Sequence, residues 1–239
     1  MSMATQNPEW RQLWDERGRA VARVLGETIP PGEVTPFSWN EFILPGACGL
    51  TFGPSSGRPY YTYMTLGLTQ PVRRGDAVPE WEFAVRAKEQ AKWPLQILFD
   101  LLTYWLDQKP KIGRGLLLPL AFFLDAGDQL CAGLTERLER VRVVGAIRGL
   151  YLWDDLEHLR FKVSSGDFGL MLTVAVTEDE IQLARQTTPP HLLVLLKRMR
   201  IAQLSDPLRK SVMVLPGAGV EWETIRGMSH DQAVGELNG

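Results

Sequence analysis

Between Glu80 and Asp107 the hydrophobic period of this chain changes from two to 3.6. In Glu80-Trp-Glu-Phe-Ala-Val-Arg86 the residues Trp81, Phe83 and Val85 alternate with Glu80, Glu82, Ala84 and Arg86, the pattern of a strand with one buried and one wet face. In Trp93–Asp107 the apolar residues Ile97, Leu98, Leu101, Leu102, Trp105 and Leu106 gather on one side of a helix. Pro94 suits its first turn, and Lys109-Pro-Lys and Gly113 end it. A strand with one dry face followed at once by a helix with one dry stripe must bury the two against something, and a layered sheet-and-helix domain is the economical solution.

The rest of the chain reads in the same way. Residues 8–25 have helical spacing through Trp10, Leu13, Trp14, Val21, Val24 and Leu25, with Gly26 as the stop. Glu27–Phe37 carries three prolines and serves as a connector, and the Gly53–Pro59 cluster separates Phe42–Phe52 from an aromatic, β-branched strand over Tyr60–Leu68. Residues 115–124 read as a buried strand broken at Pro119, and Leu138–Val144 and Leu150–Trp153 as further strands. Leu159–Val163 and Phe168–Val176 read as a strand pair joined by Ser164-Ser-Gly-Asp167. Thr177-Glu-Asp-Glu180 is a capping box opening a helix to Gln186, and Pro189–Met199 is a leucine-rich helix with its basic residues at the C-terminal end. The expected class is α+β, a mixed β-sheet flanked by helices. A single domain is expected over 1–215, with 216–239 as a weakly ordered polar tail.

Composition narrows the function classes. The 239 residues carry 26 basic and 28 acidic side chains, a net charge of −2, whereas a dedicated nucleic-acid binder carries a basic excess. The two cysteines, Cys48 and Cys131, make neither a disulfide framework nor a metal knuckle, which favours a reducing, cytoplasmic setting. The longest apolar stretch, Gly115–Leu124, is about half a membrane span. No signal peptide, membrane association, metal or cofactor is expected.

Catalytic constellations are sparse. No histidine pair has zinc-site spacing, and no glycine-rich segment matches a phosphate-binding fingerprint. His191 reads as a helix-start residue, His230 falls in the tail, and Cys48 reads as a small buried hydrophobe. Glu80 and Glu82 read as solvated charges on the wet face of their strand, and Lys197-Arg-Met-Arg200 with Arg209-Lys210 as solvated basic residues at a helix end. The one acid-rich patch around an imidazole is Asp154, Asp155, Glu157 and His158, which supports an alternative reading as a hydrolase-type enzyme.

A resemblance joins several of these pieces. Tyr60-Tyr-Thr-Tyr-Met-Thr-Leu-Gly-Leu-Thr69 resembles the aromatic-x-Tyr-x-[ST]-x-Gly-[LFM]-[ST] strand of Suppressor of fused-like proteins. Glu80-Trp-Glu-Phe-Ala-Val is similar to that family's (Tyr/Phe)-Glu-Leu-Thr strand, and Trp93-Pro-Leu-Gln-Ile-Leu to its tryptophan-led helix. Phe168–Ile181 resembles its hydrophobic strand and threonine-led helix start, and Leu204–Ser211 a closing segment of bacterial members. The likeness runs over about 9–214 and departs at Gly113-Arg-Gly115, where the family often has Gly-Asp. It implies a bacterial, non-catalytic protein-binding module that sequesters or regulates a protein partner, a toxin neutralised by an immunity protein or a peptide added as a strand. Strand aromatics and the family's partner-binding region together single out Tyr61, Tyr63, Glu80, Trp81, Glu82 and Arg114 as candidate binding residues.

Overall fold

The computed structural model describes residues 7–36, 44–71, 78–108, 113–119, 147–201, 203–206 and 209–239. Seven strands and six α-helices among them make the chain α+β, as its alternating periods require. The chain divides into two compact units, Met1–Lys111 with Glu157–Met171, and Ile112–Leu156 with Leu172–Gly239.

The first unit opens with helix α1 (Pro8–Leu25). Asn7 caps it, its Oδ1 accepting from the Glu9 amide at 2.9 Å, Pro8 sits where its missing N–H costs nothing, and Gly26 ends it at φ 91°. Strands β1 (Thr35–Pro36), β2 (Cys48–Phe52), β3 (Tyr61–Leu66) and β4 (Trp81–Ala87) follow as an antiparallel meander in chain order. Cys48 lies opposite Leu66 and Phe52 opposite Thr62, while Tyr61 lies opposite Ala87 and Met64 opposite Ala84. Helix α2 (Trp93–Gln108) packs on β2, β3 and β4 through Ile97, Leu98, Leu101 and Leu102, all buried. Residues Glu157–Met171 contribute a tight hairpin closed by Phe161 and Phe168, whose amides and carbonyls exchange bonds of 2.8 and 3.1 Å. Of the expected strand pair, Leu159–Val163 is reduced to this one bridge, whereas Phe168–Val176 is realised as a strand over Gly169–Thr177.

The alternation in β4 misleads in one respect. Phe83 and Val85 are buried as expected, but Glu82, Ala84 and Arg86 are buried too, so the strand has no wet face. Alternation with charged residues marks a solvated face only where those charges find no partner inside, and Glu82 and Arg86 both do.

In the second unit β5 (Leu117–Pro119) pairs antiparallel with β6 (Ile147–Asp154), Leu117 opposite Tyr151. The expected strand at Leu150–Trp153 is the end of β6, and β5 realises the start of the run 115–124; residues 120–124, the expected strand Leu138–Val144 and Cys131 lie outside the described residues. Strand β7 (Gly169–Thr177) begins in the first unit and continues into the second, where helices α3 (Glu178–Gln186) and α4 (Pro189–Arg198) follow. Leu192–Leu196 of α4 pack with Val174, Val176, Ile181, Trp222 and Leu237 into a continuous core.

Over 216–239, where composition suggests a weakly ordered tail, the structure has helices α5 (Ala218–Ile225) and α6 (His230–Asn238). Five apolar residues, Ala218, Trp222, Ile225, Ala233 and Leu237, are buried at helical spacing, too few to stand out among glycines and acids. Ser229 and Gln232 form a reciprocal capping box, and Lys197 Nζ donates to the Glu236 carbonyl at 2.7 Å. Arg198 grips the Glu236 carboxylate with Nε and Nη2, both at 2.7 Å, and reaches Glu221 with Nη1 at 2.9 Å. Lys197 and Arg198 therefore fasten α6 to α4 instead of standing in solvent.

Two outcomes test this packing. Trp222→Ala lowers unfolding free energy by about 3–5 kcal/mol in urea titrations, whereas the same change in a loose tail leaves it within about 0.5 kcal/mol. Burial on α2 pushes the Asp100 carboxyl up to about 7, so between about pH 4 and 7 the native state holds a proton the unfolded chain releases. Stability is therefore fullest below that window and falls as pH rises through it. Asp100→Asn flattens this slope in thermal melts taken across the window.

Candidate binding site

The candidate residues of β3 and β4 surround a buried carboxylate. Glu82 is wholly inaccessible to solvent. Its Oε1 accepts from the amides of Gly67 (3.0 Å) and Thr69 (2.9 Å) and from the Thr69 hydroxyl (2.8 Å). Its Oε2 accepts from the Thr65 hydroxyl (2.5 Å) and the Leu68 amide (3.3 Å). Thr65 Oγ1 also accepts from the Phe83 amide at 3.0 Å, so a side chain takes over from the main-chain ladder one step beyond the Met64–Ala84 pair. Past that point the chain curls around the carboxylate. Gly67 makes the curl at φ 141°, and a Cβ there would stand 2.9 Å from the Ala47 Cα.

Arg17, from the middle of α1, closes the nest. Its Nε donates to Thr69 Oγ1 at 3.2 Å, its Nη2 to the Thr69 carbonyl and its Nη1 to Ser165 Oγ at 2.7 Å. The guanidinium lies 5.5 Å over the Phe168 ring and is 1% exposed. Burial lowers its pKa, an effect opposed by the charge of Glu82.

The six sequence candidates therefore separate. Tyr63 is buried, its Oη accepting from the Ala91 amide at 2.7 Å, and burial pushes the phenol pKa up. Glu82 is the centre of the nest, which corrects its reading as a solvated charge. Tyr61 and Trp81 are half-buried and Glu80 is exposed. Tyr61 sits opposite Ala87 at one end of the β3–β4 hairpin and Trp81 begins β4 at the other. Arg114, in the second unit, pairs with Asp154 and lies 5.1 Å over the Trp153 ring. What the sequence reading missed is that Tyr63, Thr65, Gly67, Leu68, Thr69 and Glu82, the residues carrying the family-like patterns, are the members and neighbours of the nest. The signal was a hydroxyl at the end of one strand, a glycine and a second hydroxyl just beyond it, and an acid on the next strand.

Other candidates resolve individually. Asp154 is engaged by Arg114, Asp155 is buried, Glu157 Oε1 is 3.5 Å from Arg86 Nη1, and His158 is exposed at φ 51°. Burial pushes the Cys48 thiol up to about 12, which keeps it protonated. His191 donates from Nε2 to the Met228 carbonyl at 3.0 Å and pairs with the Thr188 hydroxyl through Nδ1. A cleft of about 980 Å³ lies against α1, where Trp10 and Trp14 stack at 5.0 Å, with Val34, Leu50 and Phe52 among its walls. Among the described residues no three His, Cys, Asp or Glu side chains converge as metal ligands, and no helix is long and apolar enough to cross a membrane.

Glu82→Ala removes the acceptor for three amides and two hydroxyls and leaves Arg17 without its counter-charge. Unfolding free energy in urea falls by about 3–5 kcal/mol; a loss within about 0.5 kcal/mol would show that the nest is not needed for stability.

No known family profile and no curated protein matches the sequence. Solved structures do match. A chain of a Sufu–Fu complex superposes with a TM-score of 0.57 at 13% identity, over 90% of this chain and 97% of that one. A Suppressor of fused homologue from Neisseria gonorrhoeae superposes with a TM-score of 0.56 at 10% identity, over 84% and 97%. Drosophila Suppressor of fused gives 0.54 at 13% identity, with 88% of this chain covering 52% of that longer one. By these superpositions the chain has the Suppressor of fused fold.

Proposed function

We propose that this protein is a non-catalytic module that binds and restrains a protein partner in the cytoplasm. The observation that carries the reading is the extent of the fold likeness, 90% of this chain on a chain of the Sufu–Fu complex. The chemistry agrees: the acidic side chains nearest an imidazole in sequence are spent separately, Asp154 on Arg114 and Glu157 on Arg86, and the thiol of Cys48 is held protonated. Within the first unit, the half-buried Trp81 beside the exposed Glu80 offers an aromatic anchor with a polar rim, the composition that binding hot spots favour. In the second unit Arg114 is the exposed candidate, its side chain 48% accessible. The partner chemistry that suits a bacterial setting is a toxin held inactive as an immunity protein holds it.

The test is affinity capture from the native host's lysate, followed by titration of the purified partner. A saturable complex, weakened at least about tenfold by Trp81→Ala with the melting temperature kept, supports the reading. Absence of any saturable protein complex overturns it, and turnover of a substrate by the purified chain would favour a hydrolase.

A further inference from the structure

The cleft beside α1 is a groove with one hollowed wall. Trp14, Gly18, Ala22 and Gly26 recur at every fourth position of α1 and its cap and line one side, while Val34, Leu50 and Phe52 line the rest. Val34 is 49% exposed, and Ala22 and Gly26 are exposed as well, so this apolar surface meets water. Nothing in the fold calls for a glycine at position 18. Its φ is not left-handed, and beyond its own helix backbone a Cβ there would meet no atom within 4 Å. Glycine inside a helix weakens it relative to alanine. What the missing side chain gives in return is depth in the groove.

The dimensions of the groove select its occupant. It follows α1 from Arg11 to Gly26, about 22 Å at 1.5 Å per residue, and encloses about 980 Å³. A helix of about 10 Å diameter, sunk to half its thickness over that length, displaces on the order of 900 Å³. An acyl chain of equal length is far thinner and would leave the walls apart. Small residues on one wall also let a second helix axis come close, since helix spacing is set by the side chains at the contact. Charge fits the same occupant. Among the described lining residues Arg11 and Glu27 are the only charged ones, and they stand at opposite ends, in the first turn of α1 and just past its last. Helices commonly end in an acid at one terminus and a base at the other, which meets both.

We propose that this groove docks an amphipathic helix of a partner protein, about four turns long, with its apolar face against Trp14, Gly18 and Phe52 and its end charges against Arg11 and Glu27. The stacked rings of Trp10 and Trp14 give the contact a stiff aromatic wall. The inference rests on the protein-binding reading above and adds the form of the partner, at a surface that does not include Trp81.

The experiment is fluorescence anisotropy of a labelled synthetic peptide titrated with the intact chain. The peptide is a helix of about four turns with leucines at i, i+3, i+4 and i+7 spacing, Glu at one end and Lys at the other. Wild-type protein saturates it. Gly18→Leu fills the groove and weakens binding about tenfold or more, with the melting temperature kept or raised. Glu27→Lys weakens binding severalfold, and less so at high salt. Gly18→Ala leaves the melting temperature equal or higher, as a glycine not needed by the fold requires. No saturation by the peptide, unchanged affinity in Gly18→Leu or Glu27→Lys, or equal binding of the same peptide with a central proline overturns the proposal. So does a dimer of the chain in sedimentation velocity that Gly18→Leu abolishes, because it assigns the groove to a second copy. The assay uses no native partner, so its failure leaves the protein-binding reading standing.

Discussion

The first unit depends on one buried negative charge. An isolated carboxylate in a protein interior is prohibitively costly, so Glu82 is tolerable only with its oxygens filled, and filling them dictates the surrounding chain. Three consecutive amides must point inward, which forces β3 out of its ladder after Leu66. Two threonine hydroxyls must flank them, and a residue without Cβ must make the curl against Ala47. Arg17 then ties α1 and the Ser164–Asp167 turn to the same point, so a helix, a hairpin and a strand pair answer to one side chain.

The second unit repeats the solution with different parts. Glu180, also fully buried, accepts from the Thr177 amide at 2.9 Å as the capping box requires. It then takes Arg209 in a bidentate grip, 2.5 Å to each oxygen, and the Val212 amide at 2.8 Å. Arg209 Nη2 reaches on to the Ala175 carbonyl of β7. A carboxylate that begins as a local helix cap thus becomes the junction of β7, α3 and the turn before α5. Such charges are poor sources of net stability but strict specifiers of geometry, since a structure that failed to satisfy them would be penalised by several kcal/mol.

Local signals in the sequence were dependable. The capping box at Thr177, the proline at the start of α1 and the helix from Trp93 each depend on residues within a turn or two, and each is present in the structure. The α+β class followed from the change of period alone. What the sequence did not disclose were partners far apart along the chain: Arg17 with Thr69, Arg209 with Glu180, Arg198 with Glu236. The first two draw charged residues that read as surface into the interior, and the third fastens two half-exposed ones together. The α5–α6 helices escaped notice for the related reason that their apolar residues are few and their anchors lie on α4. Of the candidate binding residues, strand position was legible and accessibility was not: Tyr63 and Glu82 were drawn inside by bonds that alternation cannot express.

The nest around Glu82 also bears on how such a chain drifts over time. Thr65, Gly67, Thr69 and Glu82 are bound to one another, so replacing one without the others leaves a donor or a charge stranded. Most of the remaining core asks only for apolar volume, which many substitutions provide. A chain carrying such a nest is therefore held to these four residues, while its apolar core is free to vary.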